Sequence, residues 1–470
     1  MRRGLVVLLV LVSAGARAEE PDASKTLTIE CTTSQPRLSL ARCVELSLAN
    51  DARVEEAEAK VKGHEATLAE VEAVYYPKLK GMAWVAPMFT VTGSAQDHDV
   101  KRSYGWSDWG PYTHLKAQLA QPLCTFGRYD AGKSAATHRV LVEKARVREA
   151  QHAVALEVVR MYMTHLMARG IQPALDNAAK LLADAQETGR DEYEKGSGKV
   201  TQTDLMRLRY GALEIEKHRL AARDGAELSL AALKRLVGVE PDDGLELADA
   251  RLPEAPAEAL PPLDDLVAEA TRSRPEWTQI VHGEQAARQL EKAEKLANAP
   301  VLFVGGEIEH DWAPTRTDSP NPFHYDPYND FVGGVAVGLL FDLDPAQSVA
   351  KADKARALQA RVSALKRLAA SGIPLQVQKA RADVERLAQV VRLSTEAEIT
   401  AKKWMTSGAA GYVAGVGEAR DLLEGLAAWL FARRDHLQGL LDYHVALGEL
   451  TQAVGRVPGR DPLPEATVTP

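Results

Sequence analysis

The residues from Gly127 to Ser134, Gly-Arg-Tyr-Asp-Ala-Gly-Lys-Ser, fit the pattern G-x-x-x-x-G-K-S. In that pattern backbone amides and a lysine cradle phosphates, and the match follows a strand-like run and precedes a helix-like one. Leu339-Leu340-Phe341-Asp342 could supply a magnesium-holding acid. Two features turn the match away from nucleotide. The motif and its supposed partner acid occupy equivalent points of two sequence copies, so pseudo-symmetry separates them. The second copy also carries Asp344-Pro345-Ala346-Gln347-Ser348 where the first has its glycines. Gly196-Ser197-Gly198-Lys199 lacks the phosphate-loop spacing and suits a turn. The 12 histidines are scattered, and His98, His310 and His324 show no ligand spacing, so no metal is expected. No Ser/His/Asp set or carboxylate pair stands out. The reading is of a chain with no catalytic residues, no cofactor and no enzymatic role.

Acids at two glycine-rich breaks remain. Asp204 and Asp421 each lie six residues after a glycine, Gly198 and Gly415, and Glu424 lies three beyond Asp421 on the same helical face. An acid in a helix's first turn is ordinarily a cap or dipole partner. In a symmetric tube, however, one acid per chain becomes a ring, and a carboxylate ring at a constriction selects cations and gates.

The elements that carry these residues are written twice. LARCVELSLANDARVEEAEAKVKG from Leu40 answers LDDLVAEATRSRPEWTQIVHGEQAA from Leu263 at an offset of 223, kept by Pro77 and Pro300. Leu123 with Leu340, Asp204 with Asp421 and Gly238 with Gly455 keep an offset of 217. Such duplication implies one pseudo-symmetric body. The domains read as a signal peptide over 1–18, a first repeat over 19–240, a Pro- and Ala-rich linker over 241–262, a second repeat over 263–456 and a disordered tail over 457–470.

Each repeat opens with a helix, which in the first copy is predicted unbroken over 38–74. Strands follow at Lys78–Thr92 and His114–Thr125, and in the second copy at Val301–Trp312 and Phe331–Leu343. Of 26 Phe, Trp and Tyr, 17 fall within 75–130 and 300–345, which puts the aromatics where the strands are. Trp84, Trp106, Trp109, Tyr112, Trp312, Tyr325, Tyr328 and Phe331 stand where an outer-membrane barrel holds interfacial rings. A soluble hairpin with an aromatic core is the plainer alternative. Four strands cannot close a barrel alone, so the barrel reading requires oligomers.

About 110 helical residues complete each copy, broken near the centre at 194–200 and 407–417. They predict antiparallel hairpins with arms of about 60 to 65 residues, or about 90 to 100 Å, interrupted or kinked at Pro173 and Pro374.

Arg2 and Arg3, the apolar run Leu5–Val12 and Ala16-Arg17-Ala18 form a secretory signal, so export is expected, to a compartment without nucleoside triphosphates. Removing its three arginines takes the formal charge from −8 to about −11, which argues against nucleic acid. No later stretch has the length of a spanning helix. Cys31, Cys43 and Cys124 make no disulfide framework, a Cys31 to Cys43 bridge stays open, and no cysteine follows the cleavage site to carry a lipid.

Order, spacing and duplication together resemble the TolC family of outer-membrane efflux proteins. The residues that carry the resemblance are Tyr76-Pro77-Lys78-Leu79, Gln121-Pro122-Leu123 to Phe126-Gly127, the two breaks, and Tyr443–Leu450 with Gly455. It covers Leu38 to Gly455. It implies a mainly α chain with a membrane β-barrel portion, and a homotrimer whose strands complete a 12-stranded barrel above an α-helical periplasmic tunnel. It further implies an outer-membrane location and a passive export channel for small molecules or proteins, coupled to a periplasmic adaptor protein and an inner-membrane pump. By position, Gly198, Thr203 and Asp204 match the first adaptor-facing tip. Tyr412, Gly415, Asp421 and Glu424 match the second, where acids ring the entrance and a tyrosine helps latch it. Gly417 stands where the family often has a latch arginine, with Arg420 as the nearby substitute. The alternative is a periplasmic coiled-coil scaffold or adhesin that spans no membrane.

Overall fold

The computed structural model describes residues 37–93, 99–196, 198, 200–255, 260–316 and 326–463. The signal peptide, Cys31, His98, His324 and Tyr325 lie outside them. The first repeat runs α1 (Leu40–Asn50), α2 (Ala52–Glu72), β1 (Lys78–Thr92), β2 (Lys101–Ser103), β3 (Trp109–Cys124), α3 (Arg128–Glu194) and α4 (Gln202–Val237). The second runs α5 (Leu263–Ser273), α6 (Pro275–Lys295), β4 (Val301–Trp312), β5 (Asp330–Leu340), α7 (Pro345–Val413) and α8 (Ala419–Val454).

The opening helix is not continuous over 38–74. Asp51 leaves the helical region at φ −76°, ψ 124°; its N–H donates to Ser47 O and its carboxylate accepts from the Arg53 amide, so one residue ends α1 and caps α2. Arg274 makes the same break 223 residues on, before Pro275 at the first position of α6.

α3 and α7 are 67 and 69 residues long, about 100 Å each. Both run through their prolines. A helical proline costs about 3 kcal/mol, and the buried neighbours Ala174, Leu175 and Ile373 offset it by packing. The returning arms differ from the expectation of 60 to 65 residues, because α4 and α8 have only 36 each. α2 and α6 supply the remainder. At one junction Gly238 (φ +79°) ends α4 against Asn50, whose side-chain amide donates to Val237 O at 2.9 Å. At the other, Gly455 (φ +90°) ends α8 against the Ser273–Arg274 backbone. A Cβ at either glycine would meet atoms under 3.0 Å away, so close stacking and the left-handed turn both demand glycine.

A core at the height of these junctions gathers Leu46, Val158, Tyr162, Leu166, Leu236, Leu266, Val377 and Leu450. The inter-repeat segment belongs to it: Leu247 and Leu252 are buried, and Leu247 bridges to Leu38. Residues 457–463, expected to be disordered, are ordered against the same core. Val457 is buried there and its amide donates to Asp461. Cys43 is a free, fully buried thiol, and burial pushes its pKa up to about 12, which leaves it inert at neutral pH.

The strands form one antiparallel sheet in the order β2-β1-β3-β4-β5, with β2 covering only Thr90–Thr92 of β1. The rest of β1 and the outer side of β5 are edges unpaired among the described residues. Register sorts the side chains into two faces. Leu79, Val85, Leu115, Leu119, Ile308, Val335 and Val337 share one face and are all exposed. Lys80, His114, Lys116, Gln118, Glu307, Glu309 and Asp311 share the other.

Candidate functional site

Two places in the fold carry groups that could act, and the first is the pair of hairpin tips. Thr201 caps α4 with a capping box: its hydroxyl accepts from the Asp204 amide, while the Asp204 carboxylate accepts from the Thr201 amide at 3.1 Å and hydroxyl at 2.7 Å. Arg207 Nη1 donates to the other oxygen of Asp204 at 3.3 Å. The Thr201 hydroxyl, then its amide, then Arg207 hold the Asp204 carboxyl below the usual range, against some desolvation. Asp204 therefore has a capping role within its own hairpin.

Tyr412, near the end of α7, is buried, and its hydroxyl reaches across to donate to Ala185 O of α3 at 3.3 Å. The path is open because residue 189 is glycine; a Cβ there would lie 2.7 Å from the phenol oxygen. Burial first, and the Asp204 charge second, push the phenol pKa up. Tyr412, Thr203, Asp204, Gly415 and Gly417 line one cleft of about 590 Å³ between the tips. Gly198 and Gly415 take φ +68° and +70° at the two turns.

Asp421 and Glu424 do not line that cleft. Both are exposed on α8, and Arg420 Nε donates to Glu424 at 2.7 Å. Gly417 accounts for the missing arginine: a Cβ would stand 2.9 Å from the Gly411 backbone, where the Gly417 amide donates to Gly411 O. No side chain fits this turn without moving it. Arg207 was missed in sequence, although its place three residues after Asp204 was the signal.

The phosphate-loop match has another structure. Only Gly127 is in a turn (φ +88°); from Arg128 onward the segment is helix, and Lys133 Nζ pairs with Glu72 of α2 at 2.9 Å. The Arg128 and Tyr129 amides donate to Thr125 and those from Ala131 onward serve the helix, so they do not form a cradle.

The second place is the sheet. Its apolar face holds Trp109, Trp312 and Phe331 near the connector end, all exposed. Trp106 is 92% exposed in a turn and stacks on Trp109 at 5.8 Å. Trp84 and Tyr112 depart from the expectation. Register turns them to the polar face with His114, where Tyr112 meets Trp84 at 4.9 Å and Tyr328 at 5.6 Å. The strand pattern carried this signal, since Trp84 is an odd number of residues from Leu79 and Val85.

Paired long hairpins beneath a sheet with one apolar exposed face and free edges make up the fold of outer-membrane channels. Solved structures share it, and three serve as examples. The Campylobacter jejuni CmeC outer membrane channel superposes with a TM-score of 0.70 at 15% identity, covering 91% of this chain and 87% of that one. The Vibrio cholerae outer membrane protein VceC gives 0.69 at 17% (90% and 97%), and the open-state Neisseria gonorrhoeae MtrE outer membrane channel 0.67 at 18% (90% and 90%). No protein-family model and no curated protein matches the chain. Within one chain, the duplicated strand pair and long helical hairpin implied by the TolC resemblance are what is found.

Proposed function

We propose that this chain is the outer-membrane exit duct of an export assembly, a passive channel driven by its partners. The observation that carries the reading is the sheet. Leu79 to Phe89 spans ten residue steps, about 33 Å along the strand, or about 25 Å of height at the usual barrel tilt, the depth of a lipid-facing apolar band. One face is apolar and exposed over that height, the other is charged, and the edges are free. Three copies would join edge to edge into 12 main strands, with the charged face around a lumen and Trp109, Trp312 and Phe331 at the interface.

The helices support the same assembly. Met206, Tyr210, Leu213 and Leu220 on α4, and Leu358, Leu365, Leu368 and Leu375 on α7, form exposed apolar stripes at three-, four- and seven-residue steps. Such stripes call for neighbouring helices. In this reading the tips at Gly198, Thr203 and Gly415 face a periplasmic adaptor tied to an inner-membrane pump. Tyr412 ties the tips shut, and Asp421 and Glu424 stand toward the entrance with Asp204 as the cap behind them.

The test is to extract the outer membrane of expressing cells with mild detergent, weigh the particle and record it in planar bilayers. A detergent-dependent trimer that conducts is the expected result. A protein that purifies from the periplasm as a soluble monomer overturns the duct and leaves the coiled-coil scaffold.

A further inference from the structure

The polar face of the sheet holds a cluster that neither the tips nor the apolar band explains. His114 on β3 and Asp311 on β4 are direct cross-strand partners, and Glu309 lies two residues from Asp311 on the same face. His114 Nδ1 is 2.8 Å from Asp311 Oδ1 and 4.0 Å from Glu309 Oε1. One ligand atom from each residue lies within 4.8 Å of the other two. We propose that these three side chains form a binding site for a divalent first-row transition-metal ion, with zinc as the reference ion.

Three arguments support the site. The first is geometric. A metal bonded at about 2.0 to 2.2 Å sets its ligand atoms about 3.0 to 3.5 Å apart, so the nitrogen's separations of 2.8 and 4.0 Å bracket the requirement and need adjustments of about half an ångström, while the two carboxylates close from a separation of at most 4.8 Å. The metal would take the place of the contact that now joins Nδ1 and Oδ1. Lys116 Nζ binds Oε2 of Glu309 at 3.0 Å, which turns Oε1 toward the imidazole.

The second argument is charge. Glu307, Glu309 and Asp311 lie in a row on this face with Lys116 paired to the first two, while Lys78, Lys80 and Lys101 stand further along it. The local balance of that row with Lys116 is two negative charges, which one divalent cation offsets. The third is enclosure. The face is open to solvent, yet His114 and Asp311 are both less than one-tenth exposed. Trp84 stacks on the imidazole at 5.2 Å, and the Tyr112 hydroxyl donates to Asp311 Oδ1. A partly dry wall, and a hydroxyl that holds the ligating carboxylate in place, strengthen metal binding. One imidazole with carboxylates suits zinc, cobalt or manganese better than calcium or magnesium. All three ligands come from one chain, so the site stands whether or not copies join into a duct.

The experiment uses the full-length, detergent-solubilised protein without a polyhistidine tag, titrated with Co²⁺ and followed by visible absorption. One Co²⁺ per chain, displaced by Zn²⁺, is expected. H114Q and D311N should each weaken binding by about tenfold or more, and E309Q less. H310Q, altered on the opposite face of the same strand, should bind as the native protein does. No saturable Co²⁺ spectrum, or H114Q binding with native affinity, overturns the site. If H114Q fails to fold, Cu²⁺ bound to the native protein decides by electron paramagnetic resonance. Coupling to one imidazole nitrogen upholds the proposal, and all-oxygen ligation refutes it.

Discussion

Tyr412→Phe removes one atom and keeps the volume of the ring, so it isolates the bond from Tyr412 to Ala185 O. That bond is long at 3.3 Å, and its acceptor lies within α3. Its net worth therefore falls near the lower part of the usual range, about 0.5 to 1 kcal/mol, or a factor of about 2 to 5 in tip opening per chain. If three chains open together, the factor becomes about 10 to 150. Hydrogen exchange read by mass spectrometry should show faster exchange over 405–420 by the smaller factor, and planar bilayers should show open probability rising toward the larger. Gly189→Ala approaches the same contact from the other side. Its methyl group would meet the phenol oxygen at 2.7 Å, so it should open the tips while leaving the hydroxyl intact, even though alanine favours the helix by about 0.5 to 1 kcal/mol. Native exchange and gating in both variants would refute the view that Tyr412 joins the hairpins.

Asp204 has its carboxyl pKa lowered by the Thr201 cap and Arg207, so its contribution to stability is present above the unfolded value of about 3.9 and is lost as pH falls through the lower folded value. Exchange over 200–208 should therefore accelerate only in strong acid, and Asp204→Ala should cost about 1 kcal/mol of cap stability and erase that pH dependence. Gly417→Arg should not restore a latch; the collision with Gly411 predicts a displaced tip, read as a lower melting temperature and raised conductance. Asp421→Ala with Glu424→Ala should raise single-channel conductance and weaken block by multivalent cations, and unchanged traces would remove both from the entrance.

Much of the architecture was legible because duplication lets each copy test the other. β1 and β4 start and end where the change in composition put them, and they begin 223 residues apart. The break at Asp51 was illegible in its own copy, where one aspartate among alanines and glutamates looks helical. Its counterpart before Pro275 was plain, and transferring that break by the offset would have found it. The short returning arms escaped because α2 continues α4 in space but precedes it by more than a hundred residues in sequence. The role of Asp204 was legible as a choice between cap and gate, and the capping box fills the first. His114 escaped altogether, since its partner in the cluster is 197 residues away and only strand register joins them.

The free edges of β1 and β5 also constrain how such a molecule is made. On each edge about half the residues aim an amide and a carbonyl outward, and each such group left unpaired in hydrocarbon costs several kcal/mol. A lone chain entering lipid would face a penalty on the order of tens of kcal/mol. The helical part suffers no such penalty, because the core around Tyr162 and Leu236 is complete within one chain. In the proposed duct, biogenesis would therefore have a required order: each chain would fold its helices in water, copies would meet through them, and the strands would enter the bilayer only as their edges closed on one another.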